Sequence, residues 1–282
     1  MDLTLGFFVQ QVFASPALAV TVLLTLGVIF VNGWTDAPNA IATAVGTGAL
    51  RMGRAIALAA VCNLLGAVLS AALCPAVVAT VLEIGDFSAR AQAQTALCAA
   101  LLSIVLWAVA AWAFGIPTSE SHALIAGLSG AAIALNGGFA GINGEEWIKV
   151  IYGLVLSTVL GFLMGYVITK IIMAICRNMD RRKTVGFFKS AQILGGAAMS
   201  FMHGAQDGQK FMGVLMLGVF LIHGSDTTGD VAPPLWMMIL CSIVMALGTS
   251  LGGYKIIKAV GMDMVKLEKY QGFAADLAGA GC

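Results

Sequence analysis

Two acidic residues interrupt otherwise apolar stretches at matching positions in the two halves of this chain. The first lies in Phe30-Val-Asn-Gly-Trp-Thr-Asp36 and the second in Phe201-Met-His-Gly-Ala-Gln-Asp207, which share the pattern Phe-x-x-Gly-x-x-Asp. A carboxylate at membrane depth is costly, so it usually faces a partner or a polar cavity and marks an ion or substrate path. Two such acids at equivalent places favour a transporter built from a duplicated unit.

The composition places both acids in a membrane protein. Of the 282 residues 60% are hydrophobic and only 10% are charged, and the mean hydropathy is +0.95. A soluble domain carries about 25% charged residues, so this chain cannot cover itself with a water-facing surface. We predict an all-α, polytopic transmembrane protein whose spans are each about 20 residues long. The basic residues flank the apolar segments and form no long stripe, so no nucleic-acid partner is expected.

The cysteines and the N-terminus add two expectations. The six cysteines show no Cys-x-x-Cys spacing and mostly lie within apolar runs, where they behave as small hydrophobic residues. We therefore expect no disulfide, no metal–thiolate site and no cofactor beyond a coupling ion. The N-terminus lacks a basic region before its first apolar run, so a removable signal peptide is not expected.

Three of the apolar segments are too short to span a bilayer of about 30 Å. They cover 37–50, 190–202 and 208–223, and they adjoin the two Gly-x-x-Asp segments. Short, Gly- or Pro-interrupted segments at corresponding positions mark the binding site of many transporters. We predict discontinuous helices or re-entrant hairpins at both Asp36 and Asp207.

The charged loops predict the orientation in the membrane. The segment 170–189 is rich in basic residues, and by the positive-inside rule it is a cytoplasmic loop of a plasma-membrane protein. The segment with Asp36 then runs from outside to inside, and the segment with Asp207 runs from inside to outside. This opposite direction is that of an inverted repeat. We divide the chain into a first repeat (1–169), the basic loop (170–189) and a second, incomplete repeat (190–282). The residues predicted inside are Lys170, Arg177, Arg181, Arg182, Lys183, Lys189, Arg51, Arg54, Lys255, Lys258, Lys266 and Lys269, and those predicted outside are Glu83, Asp86, Glu145, Glu146, Asp226 and Asp230.

Asp36 and Asp207 are the first candidate functional residues. A carboxylate can coordinate a hard cation such as Na⁺ together with other oxygen atoms, or it can carry a coupling proton. Thr35 could supply another oxygen ligand. Asp36 could equally act as a helix cap, since Pro38 favours a first helical turn.

Polar residues beside the two acids are the next candidates. Asn39 and Lys210 each follow an Asp by three residues, so on a helix they share its face. Asn39 could bind a cation through its carbonyl oxygen. Lys210 could bind an anion such as phosphate as a point charge, or it could neutralise Asp207. Gln206 is a candidate for the polar lining.

A polar turn between two apolar segments forms a third element. It reads Gly115-Ile-Pro-Thr-Ser-Glu-Ser-His122. Pro117 ends one helix, and Thr118 or Ser119 suits the N-cap of the next. Free N–H groups, hydroxyls and a histidine at such a cap suit an oxyanion, whereas a plain cytoplasmic turn would explain the proline and serines alone.

Together these segments resemble the inorganic phosphate transporter family, the Pit-type cation–phosphate symporters. The family has a Gly-x-Asn-Asp-x-x-Asn segment in each half and a Pro-Val-Ser-Thr-Thr-His-like segment. The matching stretches here begin at Gly33, Gly204 and Pro117. The chain departs from the pattern at four positions, where Thr35 and Gln206 replace Asn, Lys210 replaces the last Asn, and Glu120 replaces a hydroxyl residue.

The resemblance implies an inverted-repeat carrier that moves phosphate with Na⁺ or H⁺ and is not an enzyme. It implies that Asp36, Asn39 and Asp207 are cation ligands, and that Ser119, Ser121 and His122 are phosphate neighbours. The family's second half continues into its own Pro-x-Ser-x-x-His hairpin, and we expect this chain to be truncated before it. A carrier for a related oxyanion such as sulfate, or a transport-inactive or partner-dependent membrane protein, stays open as an alternative. Assembly as a homo-oligomer is a further expectation without an interface signal.

Overall fold

The computed structural model describes residues 4–73, 92–223 and 233–282, and all the regular structure in these ranges is helical. The prediction of an all-α fold is therefore confirmed. A 3₁₀ turn, Phe139–Gly141, and a π-helical segment, Ala259–Met264, supplement the α-helices. The α-helices are α1 (Leu5–Ala14), α2 (Pro16–Thr35), α3 (Asn39–Gly46), α4 (Met52–Leu73), α5 (Ala93–Phe114), α6 (Glu120–Asn136), α7 (Gly144–Cys176), α8 (Arg181–His223), α9 (Leu235–Gly252), α10 (Tyr254–Lys258) and α11 (Lys269–Gly281).

Within the described ranges, five segments are long and apolar enough to cross a membrane. These five segments agree with the predicted polytopic architecture. Each is about as long as, or longer than, the roughly 20 helical residues that cross a hydrocarbon core of about 30 Å. In α7 no part of the most apolar window is buried, and large side chains such as Phe162 (73% exposed) point outward. The five segments are Pro16–Gly46, Met52–Ser70, Ala93–Phe114, Gly144–Cys176 and Leu235–Gly252.

The first Asp segment breaks its helix, as predicted. Helix α2 ends at Thr35 and α3 begins at Asn39. The backbone N–H groups of Asp36 and Ala37 both donate to the carbonyl of Asn32, at 2.9 and 3.1 Å. Pro38 follows and has no N–H to continue the pattern. The break therefore leaves Asp36 in a short non-helical link between two helices.

The second Asp segment does not break its helix, and that prediction is wrong. Helix α8 runs through Asp207 without interruption from Arg181 to His223. No proline follows this acid, and its glycines serve close packing instead. A Cβ atom on Gly204 would lie 2.1 Å from the carbonyl oxygen of Asn63 in α4, and one on Gly208 would lie 2.7 Å from the Cβ of Ala67. Glycine here brings two helix backbones together, as small residues do in membrane proteins.

The basic segment 170–189 is mostly helical, although it was predicted to be a loop. Helix α7 continues to Cys176 and α8 begins at Arg181, so only residues 177–180 lie outside these two helices. Lys189 lines one cleft with Arg51 and Arg54. Three of the residues predicted inside therefore lie together, as one cytoplasmic face would require. Glu83, Asp86, Asp226 and Asp230 lie outside the described residues, and the division into two repeats stays a prediction.

Helix α8 is the central element of the packing. Helix α4 packs against it, and α2, α3 and α11 also contact it. An apolar cluster on its C-terminal half joins it to α2, α5, α6 and α9. Because α2 and α8 pack together, the break after Thr35 lies beside the middle of α8. The largest fully buried members of this cluster include Leu18, Ile29, Leu97, Leu101, Leu124, Phe211 and Leu215.

Candidate functional site

Asp207 lies at the centre of a group of polar side chains. Its side chain is buried, and Oδ1 accepts hydrogen bonds from Nζ of Lys210 at 2.8 Å and from Oγ of Ser121 at 3.0 Å. Its Oδ2 accepts from Nδ2 of Asn32 at 3.1 Å, and Nδ1 of His203 lies 3.6 Å away. The carboxylate therefore joins α2, α6 and α8 at one point. Charge-assisted hydrogen bonds of this kind are stronger than neutral ones.

Lys210 and Ser121 complete a triangle with Asp207. Nζ of Lys210 donates to Oγ of Ser121 at 2.7 Å, and the Ser121 hydroxyl donates in turn to Asp207. An ammonium group has three donors and no acceptor, so one N–H of Lys210 is not used in this triangle. The Lys210 side chain retains 21% exposure. The triangle fixes the first turn of α6 against the middle of α8.

Asp36 faces this triangle from the helix break. Its Oδ1 accepts a hydrogen bond from Nδ2 of Asn39 at 3.0 Å. Ligand atoms of Asp36, His203 and Asp207 all lie within 4.8 Å of one another. Two carboxylates about 5 Å apart repel by about 3 kcal/mol at an effective dielectric constant of 20. The two predicted Asp segments thus meet, and they need a nearby positive charge.

Glu120 adds a third acid that sequence analysis did not assign to the site. It begins α6, is fully buried, and its Oε1 accepts a hydrogen bond from the hydroxyl of Thr35. Its Oε2 has no hydrogen-bond partner among the described residues. A buried carboxylate oxygen without a partner is costly, so this atom is available for a cation or a proton.

Two buried amide oxygens beside the aspartates also have no hydrogen-bond partner among the described residues. They are Oδ1 of Asn32 and Oδ1 of Asn39, and their amide nitrogens bond to the two site aspartates. Hard cations such as Na⁺ prefer carboxylate, carbonyl and hydroxyl oxygens. Asp36, Asn39 and Thr35 therefore fit the chemistry of a cation site on residues from both sides of the helix break.

The turn before α6 has the predicted cap. Ser119 is the N-cap residue, and its side chain accepts a hydrogen bond from the backbone N–H of His122. The N-terminus of a helix presents free N–H groups and the positive end of its dipole, which suits an anion. Because Ser121 bonds to Asp207, this N-terminus lies next to the two aspartates.

The structure does not connect three other predicted residues to Asp207. The hydroxyl of Thr118 accepts a hydrogen bond from Nε1 of Trp107, at 2.9 Å. Gln206 is exposed although its neighbour Asp207 is buried, and His122 is exposed as well. These residues stay predictions as parts of the site. The structure adds Asn32 and Glu120 to the residues that surround the aspartates, and His203 lies beside them as well.

The sequence profile of a family described as the phosphate transporter family matches residues 32–185 and 173–282. A Bacillus subtilis protein described as a "probable low-affinity inorganic phosphate transporter" is 38% identical over 92% of this chain and 76% of its own length. A Mycobacterium tuberculosis protein with the same description is 37% identical over 93% of this chain and 62% of its own length. This chain thus spans less than two thirds of the mycobacterial relative.

A solved structure described as "the sodium-dependent phosphate transporter" superposes on this chain with a TM-score of 0.80. The match covers 94% of this chain and 83% of the other, with 22% sequence identity. At that identity the likeness shows a shared fold. It agrees with the helical architecture described above.

Proposed function

Because this chain belongs to the phosphate transporter family, we propose that it moves inorganic phosphate across the membrane by symport with Na⁺ or H⁺. The observation that carries the proposal is the meeting of Asp36, Asp207 and the N-terminus of α6 in one polar site around the buried Asp207. Negative charge for a cation and hydrogen-bond donors for an anion then lie side by side. The relatives of this chain are transporters, so it is a transporter and not an enzyme.

Phosphate binds, in this proposal, at the N-terminus of α6. Ser119 supplies a hydroxyl there, Ser121 supplies another when its O–H turns from Asp207 to the anion, and the helix supplies N–H groups, which together resemble many phosphate sites. Lys210 supplies the remaining N–H and a positive charge, because only two of its three donors are used by Asp207 and Ser121. Thr118, His122 and Gln206 are proposed as outer contacts of the same anion.

The coupling cation binds, in this proposal, beside the helix break. Asp36, Asn39 and Thr35 supply oxygen atoms, and Asp207 of α8 lies within 4.8 Å of Asp36. A cation there offsets the repulsion between phosphate and the acids, so that each ligand favours binding of the other. Rocking of the two halves around the bound pair then alternates access from the two sides, with the basic face toward the cytoplasm.

Equilibrium binding of labelled phosphate to the purified chain tests the substrate. We expect saturable binding. If Na⁺ is the coupling ion, binding should strengthen when Na⁺ replaces choline; if H⁺ is, binding should strengthen when the pH is lowered. Excess unlabelled phosphate should displace the label, and sulfate at the same concentration should not. Equal displacement by sulfate would assign the site to oxyanions in general and would contradict a phosphate-selective carrier.

Ser121→Ala is expected to weaken phosphate binding about tenfold. The variant removes a hydroxyl that bonds to both Asp207 and Lys210, and a hydrogen bond to a charged group contributes about 1.5–3 kcal/mol. Ser157→Ala is the matched control, because that exposed hydroxyl donates only to a carbonyl of its own helix α7. The phosphate dissociation constant measures the effect. Unchanged affinity in Ser121→Ala would remove α6 from the proposed phosphate site.

A further inference from the structure

We propose that the ammonium group of Lys210 is a built-in cation, which takes the place of a free coupling ion at Asp207. The Asp207 half of the site then binds no free cation, and the coupling ion binds only at the Asp36 half. This inference deepens the proposed function, because it concerns which ions bind at the same site. Its starting point is the different chemistry of Asn39 and Lys210, which each follow an aspartate by three residues.

Asn39 and Lys210 make the same contact in the two Asp segments. Each follows its aspartate by three residues, and each donates to Oδ1 of that aspartate, Asn39 at 3.0 Å and Lys210 at 2.8 Å. The two segments thus share this one hydrogen bond, although Asp36 lies in a helix break and Asp207 within a continuous helix. The difference between the two halves lies in what the rest of each side chain offers.

The amide of Asn39 leaves an oxygen available, whereas the ammonium of Lys210 leaves none. Oδ1 of Asn39 is buried and has no hydrogen-bond partner among the described residues, so it can bind a cation. Lys210 has only donors and a full positive charge. At a distance of 2.8 Å from Oδ1 it neutralises Asp207 and repels any second cation that approaches the same oxygen.

The other oxygen of Asp207 is also engaged. Oδ2 accepts from Asn32 at 3.1 Å, and Nδ1 of His203 lies 3.6 Å from it. Both carboxylate oxygens therefore face hydrogen-bond donors or a ring nitrogen, and the residue is buried. A Na⁺ ion would have to displace a donor and then meet the charge of Lys210. At Asp36 the side-chain hydrogen bond comes from the neutral amide of Asn39, and the nearby His203 ring is shared with Asp207, so no ammonium group bonds to Asp36 in the described structure.

Two consequences follow for transport. The carrier needs one free cation fewer than a carrier with an amide at the positions of both Asn39 and Lys210. The side chain of Lys210 supplies that positive charge. The Lys210 charge also stays in the site when the coupling ion leaves. Phosphate therefore always meets a positive charge beside Asp207. The free cation changes the affinity for phosphate only by binding at Asp36.

The test is the number of Na⁺ ions that the purified full chain binds, measured with labelled Na⁺ at saturation, with and without phosphate. Lys210→Asn gives the second segment the residue of the first, and Lys210→Gln serves if the asparagine variant is not recovered folded. We expect the variant to bind about one Na⁺ per chain more than the parent protein. Lys189→Asn is the matched control, because Lys189 lies exposed on the same helix, and it should leave the number unchanged.

The gained ion should require Asp207. Adding Asp207→Asn to Lys210→Asn is expected to return the Na⁺ number to that of the parent protein. An unchanged number in a folded Lys210 variant would overturn the proposal. So would an unmutated protein that already binds about two Na⁺ ions per chain, one of which is lost in Asp207→Asn. Ion counting needs no transport, so failure of phosphate uptake alone would count against the proposed function and not against this inference.

Discussion

Replacing Asp207 with asparagine is expected to abolish cation-driven phosphate uptake, by at least about a hundredfold. The carboxylate is the common acceptor for Lys210, Ser121 and Asn32, and hydrogen bonds to charged groups are worth about 1.5–3 kcal/mol each. A loss of two such bonds in the transporting state already corresponds to about two orders of magnitude in rate. Initial rates of labelled phosphate uptake in proteoliposomes, normalised to the amount of inserted protein, measure the effect.

The same variant is expected to lose stability. Removing one partner of a buried ion pair costs about 3–5 kcal/mol, because the remaining charge is left without compensation. The double variant Asp207→Asn with Lys210→Met removes both charges, so it should recover much of the thermal stability but none of the uptake. That separation distinguishes a functional carboxylate from one that only holds the fold. Uptake by Asp207→Asn at the rate of the parent protein would contradict the site described above.

Gly204→Ala is expected to prevent correct folding, although it adds a single methyl group. The new Cβ would lie 2.1 Å from the carbonyl oxygen of Asn63 and 2.5 Å from its Cα. The obstacle is backbone, so α4 and α8 would have to separate along their shared interface. Overpacking of well-packed sites costs about 1–3 kcal/mol and sometimes more, and a clash with backbone belongs at the upper end. Size-exclusion profiles and thermal unfolding of the detergent-solubilised protein measure it.

Gly186→Ala is the control for this substitution. Gly186 lies on the same helix, is exposed, and has open space around the position of its missing Cβ. Alanine there should be neutral or slightly stabilising, since alanine favours a helix by about 1 kcal/mol over glycine. A Gly204→Ala protein as stable as Gly186→Ala would mean that α4 and α8 are not in the close contact described.

The features predicted from sequence were those with a local cause. Apolar runs of sufficient length predicted the spans, and the short apolar segment 37–50 predicted the break beside Asp36. Ser119 was one of two predicted caps for α6, because serine before a helix satisfies a free N–H. The pair of Phe-x-x-Gly-x-x-Asp segments predicted that Asp36 and Asp207 belong to one site. Each of these predictions needed only neighbouring residues or a repeated pattern.

The second break was predicted wrongly because glycine has two uses in a membrane helix. The break was predicted from the short apolar segments 190–202 and 208–223, yet Gly204 and Gly208 at their junction are four residues apart and lie on one face of the helix. That spacing is typical of close helix–helix contact in membranes. The absence of a proline after Asp207, in contrast to Pro38 after Asp36, was the available signal that α8 continues.

Several buried hydrogen-bonded pairs, one of them in the site, could not be predicted because the two partners are distant in sequence. Glu120 bonds to Thr35, and Thr43 donates to the buried Asp276 of α11 at 2.5 Å. Only the packing of several helices brings such pairs together. Asn32 was missed despite a usable signal. It precedes Asp36 by four residues, as His203 precedes Asp207, and residues four apart share one face of a helix.

The central claim is that one site, made from both Asp segments, couples phosphate to a cation. Accumulation of labelled phosphate in proteoliposomes under an imposed Na⁺ or proton gradient tests it most directly, with Asp207→Asn and protein-free liposomes as blanks. We expect the unmutated chain to concentrate phosphate above the external level with one of the two gradients, and to lose that accumulation when the gradient is dissipated. Uptake that only equilibrates phosphate, or that is the same in Asp207→Asn, would contradict the claim.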